Sequence, residues 1–353
     1  MEKFTIKKFG ECDISDKFFD TLKADYPGFI DWYNGHLDRD VYINQDTNGI
    51  RALLILKDGE QDEIILKDRT LPRKSRIKIC TLKLDENIRE RRLGEGTIGI
   101  ALWHWQKRPE DEIYITVFPK HALLINLLQR FGFNKVGILD NGECIFIKSK
   151  VNLDKSSPYT MFPYISSTSE KYGILVVDDY YHDTLFPYSQ VKNKEFFDNN
   201  MAVSNGVSKI FIATPYTPTT YVENEPVLVY RKFRGKNPGY NSVITSFCTI
   251  TKIHKIRENG NYLKSKEEYL KIIKNKSVYD SETLEKIYNQ KNNIVIIEMV
   301  YNGYFGKGNN INWVYLSNNG YWPKHPYQIE LTKNQFTEIL KMGTNNEKNI
   351  IID

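Results

Sequence analysis

The stretch that decides how the first part of this chain folds is Arg76–Phe133, RIKICTLKLDENIRERRLGEGTIGIALWHWQKRPEDEIYITVFPKHALLINLLQRFGF. Arg76–Leu84 alternates apolar with polar or small residues and is rich in isoleucine, which predicts a strand. The polar loop DENIRERR follows, and Arg91-Arg92-Leu93-Gly94-Glu95-Gly96-Thr97 leads into a segment expected to be helical from about Gly96. Glu112–Phe118 (EIYITVF) predicts a second strand. Lys120–Arg130 predicts a compact helix closed by Phe131-Gly132-Phe133, because glycine suits the left-handed position after a helix.

Outward from this stretch, Phe4–Phe9 predicts a strand, and Asp16–His36 predicts a helix through the spacing of Phe18, Phe19, Leu22, Phe29 and Trp32. Val41–Asn44, Arg51–Lys57 and Glu63–Lys67 are short β-rich runs divided by Asn-Gly and Asp-Gly turn signals. Lys135–Leu139 and Glu143–Lys148 predict a closing hairpin around Asp140-Asn141-Gly142. Residues 149–160, SKVNLDKSSPYT, are polar and broken by Ser-Ser-Pro, which divides the chain into domains 1–150 and 151–353. Beyond that break the texture changes to strands at Gly173–Val177, Lys209–Ala213, Val227–Lys232, Ser242–Ile253, Asn293–Tyr301 and Trp313–Leu316. Helices are expected at Lys192–Asn199, Lys266–Lys274, Ser281–Gln290 and Thr332–Lys341. The fold class is therefore α+β, a mixed sheet with flanking helices followed by a mainly-β, closed or partly closed barrel with small helices.

The 353 residues are 41% hydrophobic, 13% aromatic and 26% charged, proportions of a folded chain that exclude extended disorder and collagen-like repeats. No apolar run is long enough to span a bilayer, and the start, MEKFTIKKFGECD, lacks the apolar core of a signal peptide. Cys12, Cys80, Cys144 and Cys248 lie far apart, with no CxxC pair and no histidines at zinc-ligand spacing. A reduced cytoplasmic setting, no disulfide, no metal and no membrane partner are the expectations. The net charge of +5 permits a polyanionic partner without demanding one.

Chemistry concentrates at Arg91–Thr97. Glycines at 94 and 96 let the backbone approach a ligand closely. The first N–H groups of the helix lack intrahelical acceptors and lie at its positive end, so a diphosphate fits there, with Arg91 or Arg92 adding charge. A dinucleotide fold is excluded because the glycines follow an arginine-rich loop and no ribose-binding acid stands about 20 residues on. A Walker A loop is excluded because no Gly-Lys-Ser or Gly-Lys-Thr follows.

The order strand, Arg91-x-x-Gly94-x-Gly96, helix, strand, helix ending in Gly-Phe, closing strands resembles the GNAT acetyltransferase superfamily across residues 1–150. YITVFPKHALLINLLQRFGF looks like that family's fifth strand and fourth helix. The resemblance implies acetyl-CoA as cofactor. Leu82 to Leu84 would hydrogen-bond the pantetheine through the backbone, and Arg91, Arg92, Leu93, Gly94, Glu95, Gly96 and Thr97 would hold the pyrophosphate. His121, where the family often has asparagine, would touch solvent or coenzyme. The position of the family's general-acid tyrosine is held by Leu128, so no catalytic residue is named. Glu63, Asp68 and Glu112 are equal candidates for the base, and Cys80 is expected to be a buried small residue.

In the second half, Glu225–Lys232 (EPVLVYRK) resembles the opening strand of PUA-like barrels, the superfamily that includes ASCH and EVE domains. This resemblance implies RNA or a modified base as ligand, with Tyr230, Arg231, Lys232 and Arg234 at the groove. Trp313, Tyr315, Tyr321, Trp322 and Tyr327, beside Lys324 and His325, suit either base stacking or the closing of a barrel core. The whole implies an enzyme that moves acetyl from acetyl-CoA to an amine, on a tRNA-linked or other nucleic-acid-associated substrate. The alternatives are a non-catalytic RNA or modified-DNA reader with an idle first domain, and a protein-lysine or polyamine N-acetyltransferase. A homodimer is the remaining partner expectation.

Overall fold

In the first unit, seven strands form one sheet because long apolar runs alternate with turn-forming pairs. The structure, a computed structural model, describes residues 4–85, 92–189, 191, 201–323, 329–344 and 350–352. The chain divides into two units, Met1–Leu153 and Asp154–Asp353. The strands of the first are β1 (Thr5–Lys8), β2 (Asp40–Asp46), β3 (Gly49–Glu60), β4 (Arg76–Leu84), β5 (Glu112–Val117), β6 (Asn134–Ile138) and β7 (Cys144–Ser149). Their order is β1-β2-β3-β4-β5-β7-β6, and every neighbouring pair is antiparallel except β4 and β5. That parallel pair needs a crossover, which helix α3 below supplies.

The helix expected over Asp16–His36 is broken. A 3-10 turn at Lys17–Phe19 leads into α1 (Asp20–Asp25), and α2 (Phe29–Asn34) follows separately. The cause is Pro27, which has no N–H to give and pushes the preceding residue out of helical geometry. Tyr26 accordingly sits at φ −130°, ψ 91°. Phe18, Phe19 and Phe29 bury against Val41, Ile43, Leu53 and Ile55, covering one face of the sheet. Helix α3 runs Leu93–Gln106, three residues earlier than expected, and packs on β3 and β4. Its buried residues include Ile98, Leu102, Trp103 and Trp105 around most of its circumference, as suits a core helix. Helix α4 (Ala122–Arg130) ends as expected, with Gly132 at φ +78°.

The second unit is built on β8 (Tyr172–Asp178), β9 (Ser208–Ala213), β10 (Pro226–Lys232), β11 (Val243–Glu258), β12 (Ile294–Tyr304) and β13 (Ile329–Leu331). The ladder runs β9-β12-β11-β10-β8-β13, with only β8 and β10 parallel. Three register shifts between β11 and β12 bend this long pair, the usual device for curling a sheet toward a barrel. Among the described residues no ladder joins β9 to β13. Helix α5 (Asp179–Leu185) follows β8 directly. Helices α6 (Lys266–Ile273) and α7 (Ser281–Gln290) bury Tyr269, Leu284 and Tyr288 against Ile210, Ile256 and Ile296. Helix α6 starts at a reciprocal cap between Ser265 and Glu268.

Trp313–Leu316, expected as a strand, begins helix α8 (Trp313–Asn318). Asn312 decides this: its side-chain oxygen accepts from the Tyr315 N–H at 2.9 Å, a helix cap that short-range β pattern does not reveal. Helix α9 (Lys333–Thr344) contributes Phe336, Ile339 and Leu340 to a core with Tyr172, Leu228 and Phe247. The helix expected at Lys192–Asn199 lies outside the described residues.

Inside this unit Arg231 and Asp183 form a buried two-pronged pair, Nε to Oδ1 and Nη2 to Oδ2, each at 2.8 Å. Asp183 also meets His182 Nδ1 at 2.8 Å, and His182 Nε2 meets Thr245 Oγ1 at 2.7 Å. Burial by itself would raise the Asp183 carboxyl, but the hydrogen bonds of His182 and Arg231 outweigh it and hold it down at about 2. Glu298 is held at about 2 by the hydrogen bond of His254, against burial and with help from Lys276. Both carboxyls therefore ionise more readily folded than unfolded. Their stabilisation is complete above about pH 4.5 and is lost as pH falls toward 2. Urea midpoints of the second unit should fall steeply over that window. Arg231→Met, which strands the Asp183 charge, should cost about 3–5 kcal/mol at neutral pH.

Candidate active site

Strands β4 and β5 pair over only four positions, Arg76↔Glu112 to Ile79↔Ile115. At that point the register of β4 against β3 jumps from Leu56↔Ile79 to Ile55↔Thr81, leaving Cys80 as an extra residue on β4. Such a bulge bends its strand and ends pairing. Past it, among the described residues, Thr81–Leu84 pairs with β3 alone, and Thr116 and Val117 pair with β7 alone. Each strand of an antiparallel pair presents alternate backbone groups to either edge, so this part of β4 has N–H and C=O groups facing the side that β5 vacates.

A cleft of about 1350 Å³ opens there, lined by Cys80–Asp85 of β4 and the residue after it, Ile115–Val117 of β5, Arg92–Glu95, His121–Leu124 and Leu127 of α4, and the α1–α2 turn. It exceeds the roughly 300–1,000 Å³ of sites for drug-sized molecules, so it has room for an extended ligand. Leu82 and Leu84 line it as expected, and so do Arg92, Leu93, Gly94 and Glu95. A Cβ on Gly94 would stand 3.0 Å from Leu127 Cδ2 and 3.2 Å from Leu84 Cδ1, so the glycine lets these two cleft-lining leucines pack close against the helix start. Leu93 and Gly94 begin the helix, where N–H groups lack intrahelical acceptors. Arg92, just before it, holds the left-handed φ of +54°, unusual for a side-chain-bearing residue and a mark of functional loops. Its guanidinium donates to Glu95 Oε2 at 2.6 Å, while Arg130 donates to Glu95 Oε1 at 2.9 Å.

Two of the expected residues turn inward instead. The Gly96 N–H donates to the Arg92 carbonyl at 3.4 Å, and the Thr97 hydroxyl donates to the Leu93 carbonyl at 2.8 Å. Both are buried because α3 starts earlier than its sequence suggests, which draws them into its second turn. Arg91 lies outside the described residues. His121 is exposed at the cleft and caps α4, its N–H donating to the Phe118 carbonyl at 3.0 Å.

The candidate bases sit elsewhere. Glu112 meets Arg76 at 2.6 Å and Lys74 at 2.8 Å, at the paired end of β4 and β5. Glu63 faces Arg73 and Asp68 faces Arg69, both exposed. The acid that sequence reasoning missed is Glu143, in the β6–β7 turn. It accepts from the Tyr26 hydroxyl at 3.0 Å and from Asn141 Nδ2 at 2.9 Å, and both of those partners line the cleft. Its only sequence signal was Asn141-Gly142-Glu143, which reads as a plain turn. Cys80 is half-buried at the bulge, and burial raises its thiol above the ordinary range.

In the second unit two expected ligand residues are corrected. Tyr230 is buried with its ring 4.4 Å from that of Trp322, and Arg231 is spent on Asp183. Both point into the core because β10 is covered on both faces. Lys232 is half-buried, and Arg234 is exposed beside Asp178. Tyr315, Tyr321 and Trp322 pack against the core and so serve to close it, while Lys324, His325 and Tyr327 lie outside the described residues.

No family model and no curated protein matches this sequence. Among solved structures, Arabidopsis thaliana NAA60 in complex with a bisubstrate analogue is 12% identical, with 42% of this chain and 98% of that one covered at a TM-score of 0.31. A GNAT family acetyltransferase from Elizabethkingia anophelis with acetyl-CoA bound is 15% identical, covering 42% and 99% at a TM-score of 0.31. A mutant ZmASCH protein from Zymomonas mobilis is 7% identical, covering 49% and 97% at a TM-score of 0.34.

Leu128, at the position of the expected general acid, is fully buried and absent from the cleft lining. Leu128→Tyr should therefore confer no gain in activity, and by overpacking should destabilise the first unit by about 1–3 kcal/mol, read as a lower urea midpoint.

Proposed function

We propose that the first unit is an N-acetyltransferase that takes acetyl-CoA into this cleft and passes its acetyl group to an amine. The observation that carries the reading is the parting of β4 from β5 at the Cys80 bulge, which brings one edge of β4 and a helix start into one opening. The fit is supported at Gly94, where a Cβ would crowd the cleft-lining Leu84 and Leu127. When bound, acetyl-CoA supplies a thioester carbonyl for the amine to attack, with coenzyme A thiol as the leaving group. The edge of Leu82–Leu84 that faces the cleft would hold the pantetheine arm as an added half-strand. The N–H groups of Leu93 and Gly94 would hold the diphosphate at the positive end of α3, with Arg92 adding charge. Backbone N–H groups beside the bulge would polarise the acetyl carbonyl, with no reorganisation needed.

Isothermal titration should give micromolar acetyl-CoA binding. Gly94→Val should abolish it, whereas Thr97→Val, whose hydroxyl serves only the helix, should leave it unchanged. Absence of binding to the unaltered protein contradicts the reading.

For the second unit, the exposed Arg234, Lys236 and Tyr240, with half-buried Lys232, favour contact with a single-stranded nucleic acid over the buried pair named from sequence. Filter binding of a single-stranded RNA should weaken with salt at a log–log slope of about −0.7 per phosphate contact, and Lys236→Ala should flatten it by about one contact. Salt-independent or undetectable binding contradicts this part. RNA binding without acetyl-CoA binding would instead mark the chain as a reader.

A further inference from the structure

Beyond the point where β4 and β5 part, three segments meet. The α1–α2 turn brings Tyr26, the β6–β7 turn brings Asn141, and the β5–α4 connection brings Phe118 and Lys120; all four line the cleft. They are tied together by the Lys120–Asp25 ion pair at 2.7 Å and by the Tyr26 and Phe118 rings, 5.8 Å between centroids. Behind them stands Glu143, 6% exposed. Both of its carboxylate oxygens are occupied by neutral donors, Tyr26 and Asn141, and its own N–H donates to Asn141 Oδ1 at 3.0 Å. Among the described residues no lysine, arginine or histidine pairs with it, since Lys120 serves Asp25. A buried carboxylate with hydrogen bonds but no cation is electrostatically incomplete, and a cation arriving next to it is favoured.

We infer that Glu143, reached through Tyr26 and Asn141, is the anchor for a cationic primary amine and the sink for the proton that this amine must lose. The inference rests on the acetyl-transfer reading and names its acceptor class. An ammonium N–H donates to the Tyr26 oxygen while the Tyr26 hydroxyl proton moves to Glu143, so the amine becomes neutral, Tyr26 keeps a hydroxyl and Glu143 is protonated. The C–N bond then forms as the C–S bond breaks, the amine's second proton leaves with the coenzyme A thiol, and Glu143 returns its proton to water. Burial first, and then the charge and hydrogen bond of Glu143, push the Tyr26 phenol above its ordinary range, which keeps it a hydroxyl bridge. The other titratable groups around this end are Asp25 on α1, Lys83 on β4, and Lys120 and His121 before α4. The Lys120 hydrogen bond, against slight burial, holds the Asp25 carboxyl below its usual value. Phe29 and Trp32 give the remaining wall an apolar surface. Glu143 is thus a positioning residue that acts through Tyr26.

The test uses the full chain with spermidine and a lysine-containing peptide as probes, reading acetyl-CoA affinity separately from transfer. The unaltered protein should acetylate at least one probe. Glu143→Gln and Tyr26→Phe should each keep acetyl-CoA affinity yet lose about 100-fold in kcat/KM, with the acidic limb of the pH profile displaced. Glu143→Asp should recover part of the loss. If Glu143→Gln fails to fold, Tyr26→Phe, which removes only a hydroxyl, decides. Variants with unchanged rate and pH profile overturn the inference, as does a protein that binds acetyl-CoA but acetylates neither probe. Failure to bind acetyl-CoA at all strikes the underlying reading instead.

Discussion

The first unit depends on a strand that parts from one of its two neighbours halfway along its length. Up to Ile79, β4 is paired on each side; from Cys80 onward, among the described residues, one edge has no strand against it. Backbone N–H and C=O groups need partners wherever they are buried, and those that β4 turns toward the cleft can meet water or a ligand's own amides. The bulge creates that edge, and β5 cannot follow it because it remains tied to β7 through Val117↔Cys144. An opening between parallel strands is thus built into the register of the sheet rather than carved by side chains.

Everything around the opening follows from local constraints. Pro27 breaks the first helix and turns Tyr26 into extended geometry, which brings its hydroxyl to Glu143. Arg92 takes a left-handed conformation so that α3 begins at Leu93, and Gly94 lets Leu84 and Leu127 pack close against that start. The long crossover helix is apolar on most sides because sheet and neighbouring chain cover it. In the second unit the charges point the other way, inward. Arg231, Asp183, His182 and Thr245 form a chain of buried contacts, each satisfied by the next, an arrangement that is costly to interrupt and selects one packing over others.

Much of this was legible in the amino-acid order. The span of β4, the Gly132 stop after α4, the hairpin around Asn141-Gly142 and the helix over Ser281–Gln290 all follow from period and turn chemistry. The glycine-containing stretch was legible as a helix start, but its extent was not. Whether Gly96 and Thr97 face a ligand or a helix interior depends on where the first helical turn closes, which a left-handed arginine decides. Tyr230 and Arg231 looked like surface residues because strand alternation does not reveal a second covered face. Asn312 converted an aromatic run from strand to helix through a single capping bond. Glu143 was hidden because its importance comes from Tyr26, 117 positions earlier in the chain.

The central claim is the proposal that the edge of β4 turned to the cleft past Cys80 binds an acyl-CoA thioester. Amide hydrogen exchange resolved over Cys80–Leu84, measured with and without acetyl-CoA, tests it most directly. The account requires slower exchange there and at Leu93–Gly94 when acetyl-CoA is present, with the paired segment Arg76–Ile79 unchanged. Exchange at Cys80–Leu84 that is indifferent to saturating acetyl-CoA would contradict it.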